Sequence, residues 1–179
     1  GVDYGQGTYT ALAQIAAEVL KLPIEKIHVV WESNTDTGPY DWQTVASRFI
    51  LMGGNAVIKA CQDLIKQMKN VASAVLRAPE EELEIGDEKV FIKHRPDEFL
   101  TYRQLAMGYV YPNGNAIGGP LIGRGSYIAQ GLTNLDAETG AGLPALDWTY
   151  GAHGIEIEVD VKTGDIEVKK VVSAFDVGK

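Results

Sequence analysis

Cysteine is nearly absent. The single one, Cys61, among 179 residues leaves no partner for an intrachain disulfide and no thiolate set for a metal. That usage suits a reducing compartment, and the cytoplasm is the expected one. Long apolar runs are missing too: none approaches the roughly 18 residues that a membrane-spanning helix needs. The opening Gly1-Val2-Asp3-Tyr4-Gly5 has neither the basic nor the apolar region of a signal peptide, so no membrane association is expected. Positive charge is scarce. Sixteen Lys and Arg against 24 Asp and Glu leave a net charge of -8, which argues against a chain built mainly to neutralise nucleic-acid phosphates. His28, His94 and His153 lack the spacing of a metal set, and no serine sits in a Gly-x-Ser-x-Gly elbow. With no initiator Met and an ending on Asp176-Val177-Gly178-Lys179 straight after a strand-like run, the chain reads as a piece of a longer polypeptide.

What is present is the composition of a globular chain, 45% hydrophobic and 22% charged, long enough for one domain or two small lobes. Ala11, Leu12, Ile15, Ala16, Val19 and Leu20 recur at three- and four-residue intervals, which predicts a helix over Thr8 to Leu20. Pro23 interrupts, and Ile27-His28-Val29-Val30-Trp31 has the β-branched, apolar character of a strand. Asn34-Thr35-Asp36-Thr37-Gly38-Pro39 is a dense cluster of turn formers. From Gln43 to about Lys69, Ala46, Ile50, Gly53, Val57, Cys61, Leu64 and Met68 again keep helical spacing, with Gly53-Gly54 as a notch where another backbone packs closely. A second, short helix is expected from Val71 to Arg77.

The second half reads mainly as β structure. Leu83-Glu84-Ile85 and Val90-Phe91-Ile92 flank Gly86-Asp87 as a hairpin, and Thr101-Tyr102-Arg103-Gln104 has the form of a capping box for a short helix to about Gly108. A loop over Asn113 to Gly119, an irregular strand around Leu121 to Ala129 and a mobile stretch from Leu132 to Leu146 follow. Ile155, Ile157, Val159 and Val161 alternate with Glu156, Glu158 and Asp160; Thr163-Gly164 turns the chain, and Ile166 to Ala174 returns with Lys169 and Lys170 near the acidic face. The expected architecture is α+β, two long helices on a mixed or antiparallel sheet with a C-terminal β-hairpin. Two lobes would divide it into a helix-strand-helix part, 1–77, and a mainly β part, 78–179.

Two segments invite an anionic ligand. Gly5-Gln6-Gly7 precedes the first helix, whose opening amides lack intrahelical acceptors; the glycines allow close approach to the main chain, and Gln6 offers both a donor and an acceptor. A plain turn that starts a helix is the competing account. Thr44-Val45-Ala46-Ser47-Arg48 brings two hydroxyls and a guanidinium to the opening of the long helix, where capping alone also explains Thr44 and Ser47 and a solvated surface role also explains Arg48. Cys61, in a helix interior, reads as a small buried hydrophobe.

Taken in order, Gly5-Gln6-Gly7-Thr8, Asn34-Thr35-Asp36-Thr37-Gly38-Pro39-Tyr40-Asp41, Thr44-x-Ala46-Ser47-Arg48 and Gly54-Asn55-Ala56-Val57 resemble the molybdopterin-binding large subunit of the xanthine dehydrogenase and aldehyde oxidase family. Tyr150-Gly151-Ala152-His153, Glu156-x-Glu158-Val159-Asp160, Thr163-Gly164 and Asp176-Val177-Gly178 extend the resemblance to the end, with about Arg77 to Leu146 matching loosely. The resemblance implies a molybdenum hydroxylase that oxidises an aldehyde or N-heterocycle with water as the oxygen source. It implies cofactor contacts from Gly5, Gln6, Gly7, Thr44, Ala46, Ser47 and Arg48 to molybdopterin, in bacterial members as the cytosine dinucleotide. Iron–sulfur clusters and FAD are expected on other domains or subunits, and the remainder of the molybdopterin-binding subunit as a partner. The catalytic glutamate of the family is expected beyond Lys179, so the 179-residue chain alone should neither hold molybdenum nor turn over substrate. Trp42 and Val45 fall where relatives vary and say nothing of substrate. The competing reading is a non-catalytic nucleotide-binding or assembly module that docks through the edge of the terminal ribbon.

Overall fold

In a computed structural model that describes residues 1–32, 34–36, 38, 40–41, 43–146 and 148–176, the first helix, α1, spans Thr8–Leu20, as its apolar spacing predicts. The expectations attached to Thr37, Pro39, Trp42, Val177, Gly178 and Lys179 lie outside the described residues. The helix ends where Lys21 turns left-handed, φ 54°, and the amide of Leu22 reaches back to the Ala17 carbonyl at 2.9 Å.

Ile27 to Trp31 does not form a strand. Ile27 is extended, but no second strand pairs with the segment among the described residues, and Val30 and Trp31 are exposed. β propensity without a ladder partner does not make a strand: the Ile27 amide turns back to the Ile24 carbonyl (2.9 Å), and Trp31 stacks on Tyr9 of α1 with ring centres 5.9 Å apart.

The long helix, α2, covers Arg48–Leu76, so it starts five residues later than its periodicity predicts and absorbs the separate helix expected at Val71 to Arg77. Its late start follows from Ala46, whose φ of 46° is incompatible with a right-handed helix. Its continuity past Lys69 follows from Asn70, whose side chain bonds outward to Glu80 (3.2 Å) and leaves the helical ladder intact. The glycine notch is used: at buried Gly54 a Cβ would come within 3.0 Å of Ile15 Cδ1, so its absence lets α1 pack tightly on α2.

An antiparallel sheet in the order β1-β2-β3 follows: β1 Leu83–Gly86, β2 Lys89–Ile92 and β3 Arg95–Thr101, the last without a sequence signal that singled it out. The turn between β1 and β2 centres on Asp87 and Glu88, both left-handed (φ 48° and 61°), one residue later than expected. Thr101 and Gln104 make the capping box that starts α3, Tyr102–Leu105, which is shorter than the predicted span to Gly108. Tyr102 donates from its hydroxyl to the Leu20 carbonyl at 2.9 Å, tying the end of α1 to this region. Burial, with the nearby Glu88 charge, pushes its phenol up to about 12.

The Asn-Gly-rich stretch forms a two-strand ribbon, β4 Tyr109–Val110 with β5 Ala116–Ile117. The strand expected around Leu121 to Ala129 is absent. Residues 121–127 instead lie along α2 as an irregular strap: the Ile122 carbonyl and amide both meet the Gln67 side chain (2.9 and 3.4 Å), and the Arg124 amide meets Asp63 Oδ2 (3.0 Å). A Cβ at Gly125 would sit 2.3 Å from the Ala56 carbonyl oxygen, too close for any side chain.

The core lies between the C-terminal half of α2 and the sheet: Met68, Val71 and Ala72 pack with Ala78, Leu83, Val90, Ile92, Leu100 and Leu105. That shared core explains why no boundary falls between 77 and 78; the chain divides into Gly1–Ile128 and Ala129–Lys179. In the second unit, Thr133 and Leu143 bridge an irregular segment (2.9 Å), and β6 Tyr150–Val159 pairs antiparallel with β7 Ile166–Asp176. Val161 falls in the turn, outside the strand. Ile155, Ile157 and Val159 stand opposite Val171, Val168 and Ile166 on one face, all exposed, and a bulge at Lys169 lets its ammonium reach Glu158 (2.9 Å) and Glu167 (2.5 Å) on the other. The chain is thus α+β with antiparallel sheets, and among the described residues no helix is long and apolar enough to cross a membrane.

Candidate functional site

Two loops meet in front of α1 and α2, and each has an unusual backbone. Gly5 and Gly7 take φ 112° and 83°, a region glycine enters without a Cβ clash, and at neither would a Cβ find an atom within 4 Å. Their main chain is therefore open to close approach. Gly7 is the N-cap of α1 and has no side chain to cap with, so Asp3 supplies the acceptor. Asp3 Oδ1 accepts from the amides of Gly5 (2.7 Å) and Gly7 (3.3 Å), and Oδ2 from Tyr9 (3.2 Å). These amides, that of Gly5 foremost, outweigh desolvation and hold the carboxyl below its usual range. Gln6 closes the same turn: its Oε1 accepts from the Tyr4 amide (2.6 Å), and its Nε2 donates to the Val2 carbonyl (3.0 Å) and Thr8 Oγ1 (2.7 Å).

The second loop, 43–47, is strained at Ala46, where the left-handed conformation costs a non-glycine residue about 1 to 2 kcal/mol. Ser47, at φ -89° and ψ 2°, is the N-cap of α2 but makes no side-chain capping bond, so its hydroxyl is not engaged on the helix. Thr44 joins the loops: its Oγ1 accepts from the Val2 amide at 2.8 Å and its carbonyl from the Tyr4 hydroxyl at 2.9 Å. Thr44 and Ser47 therefore precede the helix; neither lies in its first turn as the periodicity predicts.

The loops frame one cleft of about 170 Å³. Gln6, Gly7, Thr44, Ala46 and Ser47 all line it, together with Thr8 and Ala11 of α1 and Phe49 and Ile50 of α2. Of the seven residues singled out in the sequence, Gly5 and Arg48 are not among the lining residues. Arg48 donates from Nη1 to Asp41 Oδ1 (2.9 Å) and the Gln43 carbonyl (2.6 Å), bracing the strained loop. Burial pushes the Asp41 carboxyl up, but the Arg48 hydrogen bond, the Gly1 amino group 3.4 Å away and the Arg48 charge together leave it below its ordinary value.

The arrangement offers hydroxyls, the opening of α2 and the exposed main chain of Gly7, a polar wall with an apolar floor. It suits a flat polar ligand with an anionic group. Small-molecule pockets usually measure about 300 to 1,000 Å³, so this cleft encloses only part of such a ligand. Asp3 and Asp41 were missed from sequence. Asp3 had a signal, since Asp-x-Gly favours the Asx turn that its bond to Gly5 closes; the seven-residue separation of Asp41 and Arg48 carries none.

Comparison with known proteins places these residues in context. A family model described as molybdopterin cofactor-binding domain matches residues 1–179. Xanthine dehydrogenase of Oryza sativa subsp. japonica is 30% identical over 178 residues, 99% of this chain and 11% of that protein. The carbon monoxide dehydrogenase large chain of Afipia carboxidovorans is 29% identical over 175 residues, 97% of this chain and 20% of that one. Among solved structures, reconstituted CO dehydrogenase from Oligotropha carboxidovorans superposes with a TM-score of 0.77 at 26% identity, over 99% of this chain and 20% of that one. The chain thus spans between about a tenth and a fifth of the length of these relatives.

Proposed function

This chain belongs to the molybdopterin cofactor-binding domain family, and from that premise we propose that its cleft forms one wall of the cofactor site of a molybdenum hydroxylase. The observation that carries the reading is the meeting of Gln6, Gly7, Thr44, Ala46 and Ser47 around a single opening. The fit is chemical. Gly7 leaves main chain bare for a planar ring to approach, while Thr44 can still donate its hydroxyl proton and Ser47 has no competing cap. Phe49 and Ile50 add apolar surface to the cleft. Arg48, paired with Asp41, braces the loop that carries Thr44, Ala46 and Ser47. Bound molybdenum supplies a two-electron redox centre at which a carbon substrate is oxidised with oxygen from water.

The same reading extends to the whole protein. An aldehyde or N-heterocycle is the substrate class, the cytosine dinucleotide is the cofactor form, and electrons leave through iron–sulfur clusters and FAD carried on other domains or subunits. The remainder of the molybdopterin-binding subunit completes the pocket, in keeping with the small cleft and with the greater length of the relatives. No residue of this stretch is assigned as catalytic base, and the 179 residues alone neither hold metal nor turn over substrate.

The test is direct. The intact protein, isolated from cells that make the cofactor, is expected to carry molybdenum by elemental analysis and to release a fluorescent pterin on oxidative denaturation. Ser47→Ala and Gln6→Ala should each lower cofactor affinity roughly three- to tenfold, the worth of one or two lost hydrogen bonds. An intact protein free of metal and pterin would overturn the assignment, and full retention of pterin by both variants would remove the cleft from it.

A further inference from the structure

A helix opening attracts anions because its first amides have no internal acceptors, and two such openings face this cleft. They are not equivalent. At α1 the amides of Gly5, Gly7 and Tyr9 already have an acceptor in Asp3, a negative charge supplied by the chain itself. At α2 the Arg48 amide is taken by the Val45 carbonyl (3.1 Å), but the N-cap Ser47 makes no side-chain bond and no acidic residue stands in the first turn. Sequence symmetry between the two glycine- and hydroxyl-rich openings is therefore broken in three dimensions. We infer that Asp3 is a positioning residue: it occupies the amides at the opening of α1, fixes the Gly5-Gln6-Gly7 turn, and thereby keeps the anionic group of the ligand away from that opening.

The geometry explains why Asp3 stands outside the cap position. An N-cap side chain would ordinarily satisfy the first amides, but φ 83° at that position calls for glycine, which has none. A carboxylate four residues upstream covers the same amides without placing a side chain in the cleft; Asp3 is not among the lining residues. Its bonds to both Gly5 and Gly7 span Gln6, so the turn that presents Gln6 is clamped on either side. A phosphate at α1 would meet the Asp3 charge at contact distance, whereas at α2 it would meet the Ser47 hydroxyl.

The inference rests on the reading that the cleft holds the cofactor, and the test separates the two. In the intact protein, amide hydrogen exchange of residues 5–9 is measured with inorganic phosphate and with chloride at equal ionic strength, for the wild type, Asp3→Ala and Asp3→Asn. Wild-type exchange should be unchanged by phosphate. Asp3→Ala should exchange roughly tenfold faster in chloride, as expected for the loss of a charge-assisted bond, and phosphate should restore most of the protection. Asp3→Asn, which keeps an acceptor oxygen without the charge, should fall between and serves if the alanine variant does not fold. Both variants should also lose pterin several-fold relative to the wild type. Phosphate protection of the wild-type amides, wild-type exchange in both variants, or undiminished pterin content would each overturn the role. Absence of pterin from the wild type would count against the cofactor reading, while the phosphate experiment would still decide the role of Asp3 at α1.

Discussion

Replacing Gly125 by alanine probes how the strap over residues 121–127 is held against α2. The added Cβ would sit 2.3 Å from both the Ala56 carbonyl oxygen and the Ala60 amide nitrogen, about 1 Å inside ordinary contact. Neither atom can retreat, because both are backbone in the middle of a helix whose ladder would break. The strap must lift instead. Lifting separates the Arg124 amide from Asp63 and the Ile122 backbone from Gln67. A neutral hydrogen bond contributes about 0.5 to 1.5 kcal/mol and one to a carboxylate somewhat more, but these are solvent-accessible, so the lower end applies and the sum is about 2 kcal/mol. That corresponds to roughly thirtyfold in the local opening equilibrium. Hydrogen exchange of residues 121–127 in the intact protein should accelerate by that factor. Gly119→Ala is the control, since nothing lies within 4 Å of its Cβ position, and it should leave exchange within about twofold. Equal exchange in the two variants would sink the claim that backbone contact with α2 is what demands glycine at 125.

Two further outcomes follow from the same structure. Leu105 is wholly buried at the base of α3, so Leu105→Ala should cost about 2 to 5 kcal/mol, read as a lowered denaturation midpoint; a loss under about 1 kcal/mol would show that α3 is not part of the core. Asp41 has a folded-state affinity for protons below its ordinary value, so its contribution is present above pH 3.8 and is lost as the pH falls through the lower folded value. Arg48→Gln removes the charged hydrogen bond and one positive charge, so that burial is opposed by the Gly1 amino group alone and Asp41 rises; acid should then disrupt the 41–48 loop at a higher pH than in the wild type, as followed by near-ultraviolet circular dichroism. An unchanged acid midpoint would show that the pair does not brace the loop.

How much of this was legible beforehand depends on the range of the interactions involved. Helix α1, the capping box at Thr101 and Gln104, and the β6–β7 ribbon with its Thr163-Gly164 turn were legible because each depends on side chains within a few positions of one another. The two loops that line the cleft were recognisable as glycine- and hydroxyl-rich helix openings for the same reason: such residues before a helix carry their meaning locally. Periodicity cannot see a single backbone angle, so the start of α2 was placed at Gln43 although Ala46 turns left-handed. Strand propensity cannot supply a partner, so Ile27 to Trp31 read as a strand that the fold leaves unpaired.

By itself, then, the amino-acid order decided which short segments are helical, which are ribbons, and where donor-rich loops occur, since local sterics and hydrogen bonding suffice for each. Only the tertiary structure decided that Gln6 and Ser47, 41 positions apart, border one cleft. It alone sent Arg48 to Asp41, and it gave the α1 amides to Asp3 while leaving Ser47 uncapped. The physical reason is that charges and amides choose partners by distance in space. Those distances are set when α1 packs into the Gly54 notch of α2, a contact no local rule contains.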